Sequence, residues 1–224
     1  MKIRTLHEWN VTYSDAAAIQ KRLRRRVLMR FDRRRVETVA GADISYDRAS
    51  ERFFAGVLVM RFPTLEVVEQ ASGASRPTFP YIPGLLSFRE APALLEVFAS
   101  LRRRPSVIFF DGQGIAHPRR MGLASHMGLL LDCPSVGVAK SRLCGTHAEP
   151  GPAKGEWTPL LDGEETVGRV LRTRDRVKPL YISIGHRMDL PTACRLVLAC
   201  CTRYRQPEPT RQAHLLVTRL RKEA

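Results

Sequence analysis

Three acidic residues stand where a carboxylate is conspicuous. Asp111 ends the apolar run Val107-Ile108-Phe109-Phe110, whose length and composition predict a buried strand. Gly112-Gln113-Gly114 then turns the chain, and His117-Pro118-Arg119-Arg120 follows. Asp43 interrupts a second strand-like run, Glu37 to Tyr46, where a carboxylate is unfavourable without a partner. Glu90 lies in the first turns of a helical pattern. If the strands of Asp43 and Asp111 are neighbours, the two acids face each other and Glu90 approaches from above. Gathered carboxylates repel unless a cation neutralises them. Hard divalent cations prefer oxygen ligands, and Mg²⁺ takes one or two carboxylates together with phosphate and water. Such ions support an in-line displacement at phosphorus. Lys140, at the end of another short strand, is placed to hold the phosphate. Read alone, Asp111 fits a turn cap equally well.

Other chemistries find no support. There is no G-x-x-x-x-G-K-[ST] loop, and Gly112-Gln113-Gly114 lacks the third glycine of a dinucleotide fingerprint. Neither H-E-x-x-H nor G-x-S-x-G occurs. His117, His126, His147 and His186 are scattered, and structural or surface roles suit them, although His117 lies beside the acid-rich turn.

The elements that must position these residues follow from periodicity and breakers. Ser14 to Arg30 reads as a helix capped by Ser14 or Asp15, with an arginine-rich outer face. Three strand-like runs follow, Glu37 to Tyr46, Arg52 to Phe62 and Leu65 to Gln70. Short turns between them predict an antiparallel meander. Arg76 to Pro83 holds three prolines and reads as a stiff loop presenting Phe79, Tyr81 and Ile82. Leu85 to Leu101 reads as a helix, then the Asp111 strand, then a helix from Pro118 to Leu131 and a strand from Ser135 to Val138. Cys144 to Trp157 is rich in Gly and Pro and reads as a loop. Thr166 to Arg172 and Leu180 to Ile184 read as strands. A helix follows from Asp189 or Leu190 to about Thr202, and Thr210 is expected to cap a last one through His214. A meander leading into α/β units gives an α/β fold with a mixed sheet flanked by helices. No repeat, low-complexity tract or boundary divides residues 1–224, so one domain is expected.

Charge points to the partner. The chain has 37 Lys and Arg against 22 Asp and Glu, a net charge of +15, which attracts a polyanion such as nucleic acid. The cations cluster at Lys21 to Arg26, Arg33-Arg34-Arg35, Arg102-Arg103-Arg104 and Arg119-Arg120. Arginine dominates, and its planar fork suits phosphate. No stretch is long and apolar enough to span a bilayer, and no signal peptide is expected, so no membrane association is expected. Five cysteines with no C-x-x-C pair suit reduced thiols in a cytoplasmic protein.

The sequence closely resembles the endonuclease V family of deoxyinosine 3′ endonucleases. The likeness runs from about Val39 to about His214 and rests on specific motifs. These are Gly41-Ala42-Asp43, Pro80-Tyr81-Ile82-Pro83-Gly84, Leu86-Ser87-Phe88-Arg89-Glu90, Asp111 to Gly114 with His117 to Arg120, Gly137 to Lys140, Gly185-His186-Arg187 and Pro209-Thr210-Arg211. The resemblance implies an RNase H-like fold. It implies Mg²⁺-dependent cleavage, with Mn²⁺ as a substitute, of the second phosphodiester 3′ to a hypoxanthine base, leaving 3′-hydroxyl and 5′-phosphate ends. By the same resemblance, Asp43, Glu90 and Asp111 are metal-binding carboxylates. His214 occupies a further active-site position, which is His or Asp among relatives, and Lys140 contacts phosphate. Tyr81 is implied as the wedge beside the lesion, with Pro80, Ile82 and Pro83 around it. Gly84, Gly114, Gly122 and Ala139 are candidates for the base pocket. Arg89, His117, Arg119 and Arg120 complete the implied nucleic-acid contacts. Gln113 departs from the His often found between the two glycines. Cys144 to Glu165 and the extreme N-terminus match less well. The implied partner is DNA carrying deoxyinosine or another deaminated base, with inosine-containing RNA left open, and the implied state is a monomer.

Two rival readings remain at this point. Another RNase H-like nuclease, cutting junctions or flaps, could use the same acids, but the Pro-Tyr-Ile-Pro segment argues against it. A nucleic-acid-binding protein without catalysis would gain nothing from the acids.

Overall fold

The structure, a computed structural model, describes residues 1–32 and 35–224; Arg33 and Arg34 of one expected basic run lie outside the described residues. Eight strands form one sheet: β1 (Thr38–Asp47), β2 (Arg52–Arg61), β3 (Val67–Ser75), β4 (Val107–Phe110), β5 (Ser135–Ala139), β6 (Trp157–Asp162), β7 (Glu165–Leu171) and β8 (Leu180–Ile184). Their order is β3-β2-β1-β4-β5-β8-β7-β6. The first three make the expected antiparallel meander. β4 and β5 then add in parallel beside β1, and β8, β7 and β6 extend the sheet antiparallel. Five helices accompany it among the described residues: α1 (Tyr13–Leu23), α2 (Leu86–Ser100), α3 (Leu123–Leu131), α4 (Leu190–Cys200) and α5 (Glu208–Glu223).

Alternation along each strand sends neighbours to opposite faces, and both faces are covered. Ala40, Ala42, Ile108 and Phe110 pack with α2 and α3, whereas Val39, Val107, Phe109, Val136 and Val138 pack with α4. Helices on both sides explain why β2 is a nearly continuous apolar run, buried from Phe53 to Met60. This is the mixed α/β sheet flanked by helices that the sequence predicts.

Several boundaries differ from expectation. Thr12, not Ser14 or Asp15, caps α1, and Asp15 returns the bond in a capping box. That helix tightens into a 3₁₀ turn at Arg24–Arg26 and stops, because Val27 is extended and packs into the core. α3 begins at Leu123 rather than Pro118. Arg120 takes a left-handed φ of 56°, and the chain from 112 to 122 folds back so that the Ile115 N–H reaches the Ile184 carbonyl at 2.8 Å. β6 was hidden by Pro159; it is an edge strand, where a missing donor is tolerated. α5 starts at Glu208, with Pro209 in its first turn, and Thr210 lies inside it rather than capping it.

Candidate active site

Strand register places the two aspartates side by side. β1 and β4 are parallel neighbours with Ala42 opposite Phe110, so the next residues, Asp43 and Asp111, emerge at one end of the sheet. Both continue the odd-numbered face that packs on α4 and α5. Burial and then the charge of Asp111 push the Asp43 carboxyl above the usual carboxylate range. Glu90, in the second turn of α2, meets them from the other side of the sheet. Burial, then Asp43, then Asp111 push its carboxyl up to about 8. Asp43 and Glu90 therefore feel the charge of Asp111, and Glu90 that of Asp43 as well.

A lysine and a histidine complete the cluster. Lys140, just past β5, places Nζ 2.5 Å from Asp111 Oδ2. His214 on α5 donates from Nδ1 to Asp43 Oδ2 at 2.8 Å, and Asp43 Oδ1 accepts the Ile44 N–H at 2.8 Å. The partner that a strand aspartate needs is thus supplied 171 residues later in the chain. α5 comes this close because Gly41 lacks a side chain: a Cβ there would sit 2.0 Å from the Pro209 carbonyl oxygen.

The donor set fits a hard cation. Among the described residues, no three His, Cys, Asp or Glu side chains form a ready-made metal cage. Mg²⁺ does not require one, since it keeps waters and binds through one or two carboxylates plus phosphate. Burial first, and then the two aspartates, raise the Glu90 carboxyl, and a divalent ion held among the three would favour its charged form.

Beside the acids lies a cavity of about 410 Å³, within the range of ligand pockets. Asp111, Ala139 and Lys140, Tyr81 to Gly84, and Gly122 and Leu123 all line it. The proline-rich loop divides its aromatics. Phe79 packs inward on Leu85 and Phe88, while Tyr81 is 70% exposed. Gly84 takes φ +77°, and its carbonyl accepts three donors: Gln20 Nε2 at 3.0 Å, His117 Nε2 at 3.0 Å and Arg119 Nη2 at 2.7 Å. His117 Nδ1 accepts the Arg119 N–H, which fixes the neutral tautomer. Burial and the Arg119 charge push its pKa down to about 4.

Several expected nucleic-acid contacts are therefore loop supports in this structure. His117 and Arg119 fasten Gly84. Arg89 donates to the Phe79 carbonyl at 2.7 Å and stacks over Tyr46 and Phe53. Gly114 is not on the cavity wall; a Cβ there would sit 2.0 Å from the Ile184 oxygen. Two supports escaped the sequence argument. Gln20 also donates to the Met121 carbonyl at 3.0 Å, and its only signal was a polar residue within the buried stripe Ala16–Gln20–Leu23. Gln113 donates to the Ser141 carbonyl at 2.9 Å, tying the turn after β4 to the loop after Lys140.

Arg120 is committed elsewhere. Its guanidinium bridges Asp162 at 2.7 Å and Glu165 at 2.8 Å, with the side chain only 19% exposed. Arg120→Ala should leave Asp162 and Glu165, 37% and 52% exposed, to water and cost about 1 kcal/mol, lowering the melting temperature by roughly 2–4 °C. The salt dependence of nucleic-acid binding should stay unchanged, because this group does not release phosphate counterions. A flattened salt slope with an unaltered melt would show instead that Arg120 contacts the backbone.

Comparison with known proteins shows the family. Residues 20–215 match the Endonuclease V family. A Roseiflexus endonuclease V is 50% identical over 94% of each chain. The crystal structure of endonuclease V from Streptomyces avermitilis superposes with a TM-score of 0.92 at 42% identity, over 100% of this chain and 99% of that one. Endonuclease V from Ciona intestinalis, solved with a 24-mer DNA containing an inosine followed by a ribo-adenosine, superposes at 0.83 with 27% identity, over 94% of this chain and 97% of that one. On the family match over residues 20–215 and relatives of this identity, the chain belongs to the endonuclease V family of nucleases.

Proposed function

We propose that this protein cuts DNA carrying deoxyinosine, hydrolysing the second phosphodiester 3′ to the lesion. The observation that carries this reading is the cavity whose walls are shared by the proline-rich loop and by Asp111 and Lys140. A base held there keeps its own strand beside the acid cluster. The DNA bound by the Ciona relative contains inosine, which supports hypoxanthine as the base.

Asp43, Asp111 and Glu90 would hold Mg²⁺, with Mn²⁺ as a substitute. When bound, the ion supplies charge stabilisation for an in-line displacement at phosphorus. Lys140 holds a phosphate oxygen beside Asp111. His214 and Asp43 form a hydrogen-bonded pair able to move a proton at His214 Nδ1. Water forms the new P–O bond, the P–O3′ bond breaks, and the 3′ oxygen takes a proton, which leaves 3′-hydroxyl and 5′-phosphate ends. The ribo-adenosine after the inosine in the relative's complex makes inosine followed by a ribonucleotide the second substrate to test.

Removing a base from the stack costs a few kcal/mol in a duplex and less where it is unpaired. Tyr81 is exposed on a backbone fixed by Pro80 and Pro83, and by the three donors on Gly84. A rigid aromatic loses little entropy on insertion, and stacking on a base contributes about 1–3 kcal/mol. Tyr81→Ala should therefore reduce kcat/KM on inosine in paired DNA about tenfold or more, with a smaller loss on a single strand and an unchanged melt. The assay compares labelled duplex and single-stranded inosine substrates with inosine-free controls in Mg²⁺. Equal losses on both substrates would count against the wedge, and absence of inosine-dependent cleavage by the unaltered protein would overturn the proposed function.

A further inference from the structure

Trp157 opens β6, the edge strand farthest from the acids. It is 45% exposed, and the Arg169 guanidinium lies 3.6 Å from its ring centroid. An edge-strand indole stacked by arginine can be ordinary surface packing, so its position matters. Ala139 is opposite Tyr181, Leu180 is opposite Leu171, and Leu171 is opposite Trp157. The start of β6 is therefore level with the end of β5, where Lys140 emerges. Three strand spacings separate them, about 14 Å. The face is also shared. Arg169 lies near enough to Cys194 of α4 to lower its thiol pKa against the larger effect of burial, and β5 turns Val136 and Val138 toward α4, a face that Lys140 continues.

The turn that follows Leu171, the residue opposite Trp157, is cationic, while beside Trp157 the exposed Glu156 accepts the Ala153 N–H at 2.6 Å. Arg174 and Lys178 are exposed in the turn joining β7 to β8, and Arg203 is exposed in the segment joining α4 to α5. Arg174 donates to the Arg203 carbonyl at 3.0 Å, and Arg205 to the Lys178 carbonyl at 3.4 Å. These are neutral backbone acceptors. Asp175, the one acid within this turn, accepts the Lys154 backbone N–H at 2.6 Å. Among the described residues, none of Arg174, Lys178, Arg203 and Arg205 makes an ion pair with a carboxylate.

We propose that this rim is an accessory site for the substrate strand flanking the scissile phosphate. An unpaired base stacks on the Trp157 indole, whose other support is Arg169, and the adjoining phosphates lie on the unpaired cations. Stacking platforms lined by cations bind single strands without sequence preference, and aromatic rings that keep one surface in water suit such contacts. This inference rests on the proposed nuclease reading, which supplies a strand passing Lys140.

The test separates the two. The chain has 2 tryptophans, so a Trp9→Phe variant leaves Trp157 as the sole indole. An inosine-free single-stranded oligonucleotide should quench its emission, with an affinity that falls steeply with salt. This readout stands even if inosine is never cleaved. Cleavage then locates the strand. Single-stranded inosine substrates with short flanks are compared with substrates extended on the 5′ or the 3′ side. Extension on one side should raise kcat/KM about tenfold in the unaltered protein. Trp157→Ala should lose that gain and Trp157→Phe should keep it, with the short substrate as the control for folding. No quenching overturns the accessory site, and so does an extension gain that survives in Trp157→Ala. Quenching without inosine-dependent cleavage would leave this site standing and remove the function proposed above.

Discussion

Asp43→Asn and Asp111→Asn are each expected to reduce cleavage on the order of 10³-fold or more while leaving the protein folded. Each substitution keeps size and removes the charge that a hard cation requires. The energetics of the cluster make the outcome asymmetric. Asp43 carries a raised pKa from burial and from Asp111, and Glu90 is pushed to about 8 by burial and by both aspartates. Neutralising one member relieves repulsion on the others, so stability should hold or rise. In Asp43→Asn the amide would keep an oxygen for the Ile44 N–H, now 2.8 Å from Asp43 Oδ1. Asp111→Asn would lose the ion pair with Lys140. That lysine is itself exposed, where a lost pair contributes little. Binding of an inosine strand should survive in both variants, because an asparagine keeps the shape that Asp111 gives its part of the cavity wall, and the remaining wall and the loop are built from other residues. The measurements are single-turnover cleavage of a labelled inosine oligonucleotide, its equilibrium binding and a thermal melt. A variant that keeps near-normal turnover would remove that aspartate from the reacting centre, and one that fails to fold would give it a structural role instead.

The acid cluster was legible in the sequence because each acid sat against a strong local pattern. Asp111 closes a four-residue apolar run, and Asp43 breaks a strand that is otherwise apolar on its buried positions. That β1 and β4 are neighbours does not follow from the sequence; the fold supplies it, where β4 adds in parallel beside β1. What the sequence hid were the partners of polar side chains. Arg119 and Arg120 are adjacent cations in the chain, yet one fastens Gly84 and the other bridges β6 and β7. Charge predicts an attraction to phosphate but not which carboxylate or carbonyl tertiary packing will supply first. Gln20 shows the converse. Its burial is set by the helix stripe, while its purpose depends on a loop 64 residues away. β6 was obscured for a local reason, since Pro159 argues against a strand unless that strand is known to be an edge.

The glycines after Asp111 separate sharply, and this gives the second large effect. Gly112 and Gly114 bracket Gln113 in one turn, yet their surroundings differ. A Cβ on Gly112 would meet Leu123 side-chain atoms at 3.7 Å, an ordinary contact. A Cβ on Gly114 would lie 2.0 Å from the Ile184 oxygen and 2.5 Å from its carbonyl carbon, and neither belongs to a side chain that could rotate away. To admit it, the turn must leave β8. Two bonds would be disturbed with it, Gly114 N–H to Ser183 Oγ at 2.7 Å and Ile115 N–H to the Ile184 carbonyl at 2.8 Å. Gly137 on β5 is pressed against this same turn, 2.5 Å from its nearest atom once a Cβ is built, so the shift would reach the strand that carries Lys140. Gly114→Ala should therefore cost about 4 kcal/mol or more, in the range reserved for a named structural defect. The melting temperature should fall on the order of 10 °C. Cleavage should be lost with it, because Asp111 and Lys140 take their positions from this junction. Gly112→Ala should melt within a few degrees of the unaltered protein and keep most of its activity. Similar melts for the two variants would mean that the backbone of β8 yields at Ile184, and that this contact does not fix the site.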